Sequence, residues 1–282
     1  MKDQVVQRFA TIKDLDKNKC TIEEREDYEP HIRNGFILFS GVDYEKILRG
    51  AEKEADIILW DGGNNDAPFI KPDLLVTVID PLRPEDELLY YPSEAVARLA
   101  DVFVVNKVNS ASKGKIDLAV KGLKSINDSA KIVFAESVVL PDNPRIMKGK
   151  SALIIEDGPT ITHGGMPFGA GTVAAKEYGI RKVVDARQYA VGTIKDVYNK
   201  YPKLGEELPA MGYSTKQIKD LQETINRAEC DIVISATPTN LKGIIDVNKP
   251  IVQVYYELKP QGPSFDRMLD GFARKVKRQS IL

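Results

Sequence analysis

The sequence predicts an α/β protein, with mostly parallel sheets and flanking helices, on three observations. Short apolar runs of strand length alternate with stretches of helix length, first from Gly35 to Phe134 and again from Ser151 to Tyr256. That alternation implies βαβ units and parallel pairing. Several of the runs, such as Val102 to Val105 and Ala152 to Ile155, are apolar throughout, as strands buried on both faces are. Loops carrying glycines and acidic residues follow these runs, where open α/β sheets place their ligands.

Taken in order, residues 1–34 are polar and charged, with helical turns expected over Thr21 to Tyr28 and Pro30 as a breaker. The cluster Glu23, Glu24, Glu26 and Asp27 reads as a solvated helix face. Gly35 to Ser40 reads as a strand, Tyr44 to Glu54 as a helix, and Ala55 to Trp60 as a second strand. Leu74 to Ile79 is a third strand, Ser93 to Leu99 a helix, and Val102 to Val105 a fourth strand. A helix over Lys115 to Ile126 leads to a strand at Lys131 to Phe134.

Prolines and basic residues interrupt the pattern at Pro141 to Lys150, which places a domain boundary there and gives domains 1–145 and 146–282. Beyond it come strands at Ala152 and at Arg181 to Val184, and helices near Thr193 to Lys200 and Ser214 to Arg227. Strands at Asp231 to Ser235 and Ile251 to Tyr256 complete a second, Rossmann-like unit, and Arg267 to Arg278 reads as a solvated basic helix. Pro209 to Tyr213 looks like a turn between helices.

The 282 residues carry a formal net charge of -1, so no global field points to nucleic acid or a membrane surface. Cys20 and Cys230 form no metal-type spacing, and the N-terminus lacks the apolar core of a signal peptide. A soluble cytoplasmic protein is the expectation.

The longest glycine-rich stretch is Ser151 to Gly179, in which an apolar strand breaks into a loop and resumes as a helix, Thr172 to Tyr178, stopped by Gly179. Glycines let backbone N–H groups approach an anion, and a helix N-terminus favours negative charge. The loop holds Glu156, Asp157, Thr160, Thr162, His163, Gly164 and Gly165, a set suited to a phosphorylated ligand and a metal. The loop is longer than the roughly 2–6 residues usual for such a connection. The plainer alternative is a βα connection with turn glycines.

Asp61 follows the apolar run Ile57 to Trp60 and precedes Gly62 and Gly63, the position of a Walker B acid that binds Mg²⁺. Asn106-Lys107-Val108-Asn109 follows the next apolar strand but one and looks like the N-K-x-D base-recognition motif, with asparagine in the last place. Asn109 can accept through one oxygen only, which leaves ATP and GTP both open. Lys148 to Ser151 contains GKS but lacks the first Walker A glycine and precedes a strand, so it reads as linker. The first domain is therefore expected to be a P-loop NTPase-type remnant without Walker A. Arg187, at the end of a strand, is either a bidentate phosphate clamp or part of a surface turn.

Several stretches together resemble the cyclic 2,3-diphosphoglycerate synthetases and their relatives, often described as predicted P-loop GTPases. They are VQRFAT (6–11), CTIEEREDYEPHI (20–32), GVDYEKIL (41–48), ILWDGGNND (58–66), YYPSE (90–94), ADVFVVNKVN (100–109), EDGPTITHGGMPFGAG (156–171), LPAMGY (208–213) and ATPTNL (236–241). Members of that family carry more at the N-terminus, a Rossmann-like domain and then the P-loop. The resemblance thus implies that the P-loop comes from a separate polypeptide or that the chain is a truncated form. It also implies ATP-driven closure of 2,3-bisphosphoglycerate into its cyclic anhydride. In that scheme Asp61 organises Mg²⁺, Gly62 and Gly63 pass the phosphates, and Asn106, Lys107 and Asn109 hold the base. His163, Gly164 and Gly165, with Asp157, Thr160, Thr162 and Arg187, hold the substrate. A GTPase-like regulatory protein and a non-catalytic subunit of a homo- or hetero-oligomer are the alternatives.

Overall fold

The computed structural model describes residues 4–63, 66–162, 166, 168–211, 214–238 and 241–279. In chain order the elements are β1 (Gln7–Phe9), α1 (Ile12–Lys17), α2 (Ile22–Arg33), β2 (Leu38–Ser40), α3 (Tyr44–Ala51), β3 (Val76–Ile79), α4 (Asp86–Leu89) and α5 (Ser93–Leu99). There follow β4 (Val102–Val105), α6 (Lys113–Ile126), β5 (Lys131–Pro141), β6 (Ser151–Asp157), α7 (Gly158–Thr162), α8 (Ala170–Glu177) and β7 (Lys182–Val183). The chain ends with α9 (Gly192–Lys200), β8 (Leu208–Ala210), α10 (Thr215–Arg227), β9 (Ile232–Ala236), β10 (Ile251–Pro260) and α11 (Ser264–Gln279). The predicted α/β class, parallel strands with flanking helices, is the class observed.

The chain forms two compact units, each discontinuous: residues 1–7, 39–138 and 257–282, and residues 8–38 and 139–256. In the first, β3, β4 and β5 pair in parallel, Val76 to Ile79 against Val102 to Val105 and those against Lys131 to Phe134. Because β4 is central it is buried on both faces, which is why all four of its residues are apolar. Phe103 and Val105 pack on α5 and α6 through Ala97, Ala119 and Leu123, while Val102 and Val104 meet Phe265 and Met268 of α11. The basic C-terminal helix is thus amphipathic, with its apolar side on the sheet.

In the second unit β10, β9 and β6 are parallel neighbours, and β6 also pairs with β7 at its start and β8 at its end. Residues of β6 alternate between two cores: Ala152 and Ile154 face α8, and Leu153 and Ile155 face α9 and α10. Gly179, at φ 73°, ends α8 as expected. In the same unit α1 and α2 pack on Phe9 through Leu15, Tyr28 and Ile32.

Four expectations are corrected. Ala55 to Trp60 forms no strand: no described strand pairs with it, and Leu59 is 76% exposed. The ring of Trp60 lies instead beside Tyr44 (5.6 Å) and Phe69 (5.7 Å). The strand expected at Gly35 to Ser40 covers only Leu38–Ser40. Helix α2 runs through Pro30 to Arg33 because Tyr28 and Ile32, one turn apart, are both anchored in the Phe9 core. Pro209 lies not in a turn between helices but in β8, which pairs only with β6; at such an edge the missing proline N–H costs no ladder bond. Gly212 and Tyr213, the end of that expected turn, lie outside the described residues.

Gly158 joins β6 to α7 so closely to β8 that a Cβ there would stand 2.4 Å from the carbonyl oxygen of Ala210. Gly158→Ala therefore forces the backbone of β8 to move. It is expected to lower stability by about 1–3 kcal/mol, read as a lower midpoint in urea; an unchanged midpoint would mean that β8 yields freely.

Candidate functional site

Alternation along β6 puts Glu156 on the face of Ile154, at the carboxyl end of a central strand and directly beneath the start of α8. It is 1% exposed. Its Oε1 accepts hydrogen bonds from the N–H of Gly169 (3.2 Å), the N–H of Thr172 (2.8 Å) and the Thr172 hydroxyl (3.0 Å). Its Oε2 accepts from the N–H of Gly171 (3.2 Å). A Cβ on Gly169 would stand 2.3 Å from Glu156 Oε2, and one on Gly171 2.7 Å from Ile154 Cγ2, so these glycines let the helix start descend onto the carboxyl group.

Burial pushes the Glu156 carboxyl up to about 7, against the pull of the N–H donors of Thr172 and Gly171 and with a further rise from the Glu207 charge. The Thr172 hydroxyl also reaches Glu207 Oε1 at 3.1 Å. One hydroxyl has one hydrogen, so both carboxyl contacts of Thr172 Oγ1 are satisfied together only when a carboxyl group carries a proton. Tyr198, its own hydroxyl raised by burial, donates to the backbone oxygen of Glu207 at 2.6 Å and holds that residue in place. The group at the end of β6 is thus an acidic cluster joined through the Thr172 hydroxyl.

The loop residues singled out from sequence are placed as follows. Asp157 Oδ2 accepts from the N–H (3.2 Å) and hydroxyl (2.7 Å) of Thr160, and the Thr162 hydroxyl donates to the Gly158 carbonyl (2.7 Å). These three are brought together on the first turn of α7, which is helical where a loop was expected. Arg187 lies on Asp185, with Nε to Oδ1 at 2.8 Å and Nη2 to Oδ2 at 2.7 Å, and holds that carboxyl below the usual range. Its guanidinium fork is therefore already engaged. His163, Gly164 and Gly165 lie outside the described residues, as do Thr239 and Asn240.

In the first unit Asn106, Lys107 and Asn109 do meet at the carboxyl end of β4. Lys107, at φ 56°, bends its ammonium to Asp80 Oδ2 (2.7 Å) at the end of β3. Both amide atoms of Asn109 bind the main chain of Ser137, Nδ2 donating to the carbonyl (3.0 Å) and Oδ1 accepting from the N–H (3.1 Å). The Asn106 side-chain oxygen is buried without a hydrogen-bond partner, the one acceptor of this trio left open. Asp61, Gly62 and Gly63 are exposed, and Gly63 N–H donates to Asp66 Oδ2 at 3.1 Å in a local turn. Among the described residues no three His, Cys, Asp or Glu gather as a metal site. A Mg²⁺ carried by nucleotide phosphates needs only one or two carboxylates; Asp61, expected to hold it at the end of a strand, follows a stretch that forms none.

Sequence reasoning counted Glu156 among the loop groups suited to a phosphorylated ligand and a metal, where the structure has it capping α8, and it missed Thr172, Glu207, Tyr198, Asp80 and Ser137. An acid as the last buried residue of an apolar strand was a readable signal for Glu156. Nothing local marked Glu207 or Ser137, whose partners lie 35 and 28 residues away.

No protein-family model matches the chain. It is 53% identical over 279 residues, 99% of its length, to the arginine synthetase ArcE of Thermococcus kodakarensis. It is 26% identical over 235 residues, 80% of its length, to the cyclic 2,3-diphosphoglycerate synthetase of Thermococcus sibiricus, which bears out the motif resemblance at the level of distant relationship. The chain spans 62% of the first protein's length and 50% of the second's. Both of these relatives are synthetases by name. No helix among the described residues is long and apolar enough to cross a membrane.

Glu156 links protonation to stability. An unfolded glutamate titrates near 4.5 and the folded one near 7, so between those values the folded state binds more protons. Its contribution is complete below about pH 4.5, declines as pH rises and is gone above about pH 7, a swing of roughly 3 kcal/mol. Thermal unfolding across pH 4.5 to 8 should show wild-type Tm falling relative to Glu156→Gln, with a constant difference above pH 8. A difference that does not vary with pH would place the Glu156 proton outside the folding equilibrium.

Proposed function

We propose that this chain is the whole or a part of a nucleotide-dependent ligase acting on arginine or its immediate precursor. The 53% identity to an arginine synthetase across 99% of this chain carries the reading. The charge of the loop agrees with it. Glu156, Asp157 and Glu207 are acids, and Arg187 is matched by Asp185, so the described groups favour a cation over a polyanion. A guanidinium pairs with carboxylates through a fork of N–H donors.

A synthetase of this kind uses ATP to convert a substrate oxygen into a phosphate leaving group, which a nucleophile then displaces as it gives up its proton. Glu156, raised by burial to about 7, is suited to take it. Asn106 and Lys107 would sit against the base, Asp61 would hold Mg²⁺ with the phosphates, and His163, Gly164 and Gly165 would carry the transferred phosphoryl group. The sequence contains no Walker A motif. That cradle would come from a further segment or a partner chain, in a homo- or hetero-oligomer. Cys20 and Cys230, both free, suit the reducing cytoplasm.

A second reading, cyclic 2,3-diphosphoglycerate synthesis, is favoured by the 26% identity over 80% of this chain and by the long shared motifs. Its substrate is a polyanion, so the two readings differ in the sign of ligand charge.

Thermal unfolding in the presence of L-arginine or 2,3-bisphosphoglycerate, each with and without Mg-ATP, separates them. L-arginine should raise Tm with the logarithm of its concentration above Kd, equivalent to about 2.7 kcal/mol at a hundredfold excess over Kd, and bisphosphoglycerate should not. The opposite response would replace the first reading by the second.

A further inference from the structure

β9 and β10 run in register, with Val233, Ile234 and Ser235 opposite Ile251, Val252 and Gln253. Opposed residues on neighbouring strands share a face of the sheet. Val233 and Ile251 belong to the core on the α9 and α10 face, so Ser235 and Gln253 lie on that face too, nearer the carboxyl end. Glu156, paired with Ala236, lies on the other.

Ser235 is 0% exposed and Gln253 6%. Ser235 Oγ and Gln253 Oε1 are both buried without a hydrogen-bond partner. Gln253 is not loosely held. Its amide nitrogen donates to the Thr237 carbonyl at 2.8 Å, its backbone N–H to Asp142 Oδ1 at 3.0 Å, and its carbonyl accepts the Asp142 N–H at 2.8 Å. The orientation of the side chain therefore leaves Oε1 open by construction. Two open oxygens on opposed residues, in a core otherwise filled by Ile155, Leu208 and Leu241, lower stability, because a buried acceptor that has lost water and gained nothing is costly. Apolar residues would fill the same space without that cost.

We propose that Ser235 and Gln253 form a ligand subsite for an uncharged –NH₂ group on a planar carbon, the end of a carboxamide or the amino edge of an adenine. Gln253 Oε1 only accepts, and Ser235 Oγ can accept beside it, so one –NH₂ satisfies both. A cation is disfavoured: Asp142, whose Oδ1 accepts from the Gln253 N–H, is already paired with Lys242 at 3.0 Å, so it is no open counter-charge for a buried ammonium. Ser235 is the last residue but one of β9, and the carboxyl ends of parallel strands are where α/β sheets admit ligands; Gln253, the third residue of β10, stands opposite it. The subsite does not depend on the arginine reading.

The test uses the full chain with two ligand pairs that differ by –NH₂ against oxygen, L-glutamine with L-glutamate and adenosine with inosine, read by thermal unfolding and calorimetry. The –NH₂ member of one pair should bind at least tenfold more tightly than its oxygen counterpart, and which pair responds identifies the source of the group. Ser235→Ala and Gln253→Met, tested singly so that one folded variant suffices, should each abolish that preference, and Ser235→Ala, which removes no hydrogen bond, should hold or raise the Tm of the unliganded protein. The proposal is overturned if neither pair is distinguished, if the variants keep the preference, or if Ser235→Ala lowers the unliganded Tm, since that last result shows its oxygen bound to structural water.

Discussion

The second unit turns on one buried carboxyl group set against one helix N-terminus. Glu156 accepts the donors that α8 leaves unmatched at Gly169, Gly171 and Thr172, and in doing so fixes where α8 begins and how closely it approaches β6. The two glycines follow from that closeness, and so does the placement of Thr172 between Glu156 and Glu207. Removing water from the acid raises its affinity for a proton, and the donors of the helix limit the rise. The result is a group that changes charge near neutrality at the end of a parallel strand.

This arrangement changes what the glycine-rich stretch can do. A helix N-terminus above a glycine loop is an open anion site only while its N–H groups are free. Here the protein's own carboxyl group occupies it, so a ligand phosphate meets other parts of the loop or none. In the first unit Lys107 is likewise drawn to Asp80 and Asn109 to Ser137, while Asn106 keeps a free acceptor. The charge of the ligand, more than the fold, therefore separates the two synthetase readings.

Much of the fold was legible where a residue's environment is set by its own segment. β4 at Val102–Val105 and α5 at Ser93–Leu99 fall on the predicted residues, because an all-apolar run and an amphipathic stretch beside it leave one way to bury both. The same rule failed at Ala55 to Trp60, which has strand composition but no described neighbour to pair with. β8 failed for the converse reason, since Leu208–Ala210 becomes a strand only because β6 offers it an edge. The site divided likewise. Asn106, Lys107 and Asn109 share a loop and were found together, whereas Glu207 and Ser137 reach their places through long-range packing that no short motif records.

The central claim, that Glu156 is a buried acid poised near neutrality on the start of α8, is tested most directly by its own titration. Carbon-13 NMR of glutamate-labelled protein, with Glu156→Gln to assign the side-chain carboxyl resonance, follows that single group from pH 4 to 9. The account predicts a midpoint near 7, as burial dictates. A midpoint near the ordinary value of about 4.3 would contradict it and leave Glu156 a charged helix cap with no proton to share.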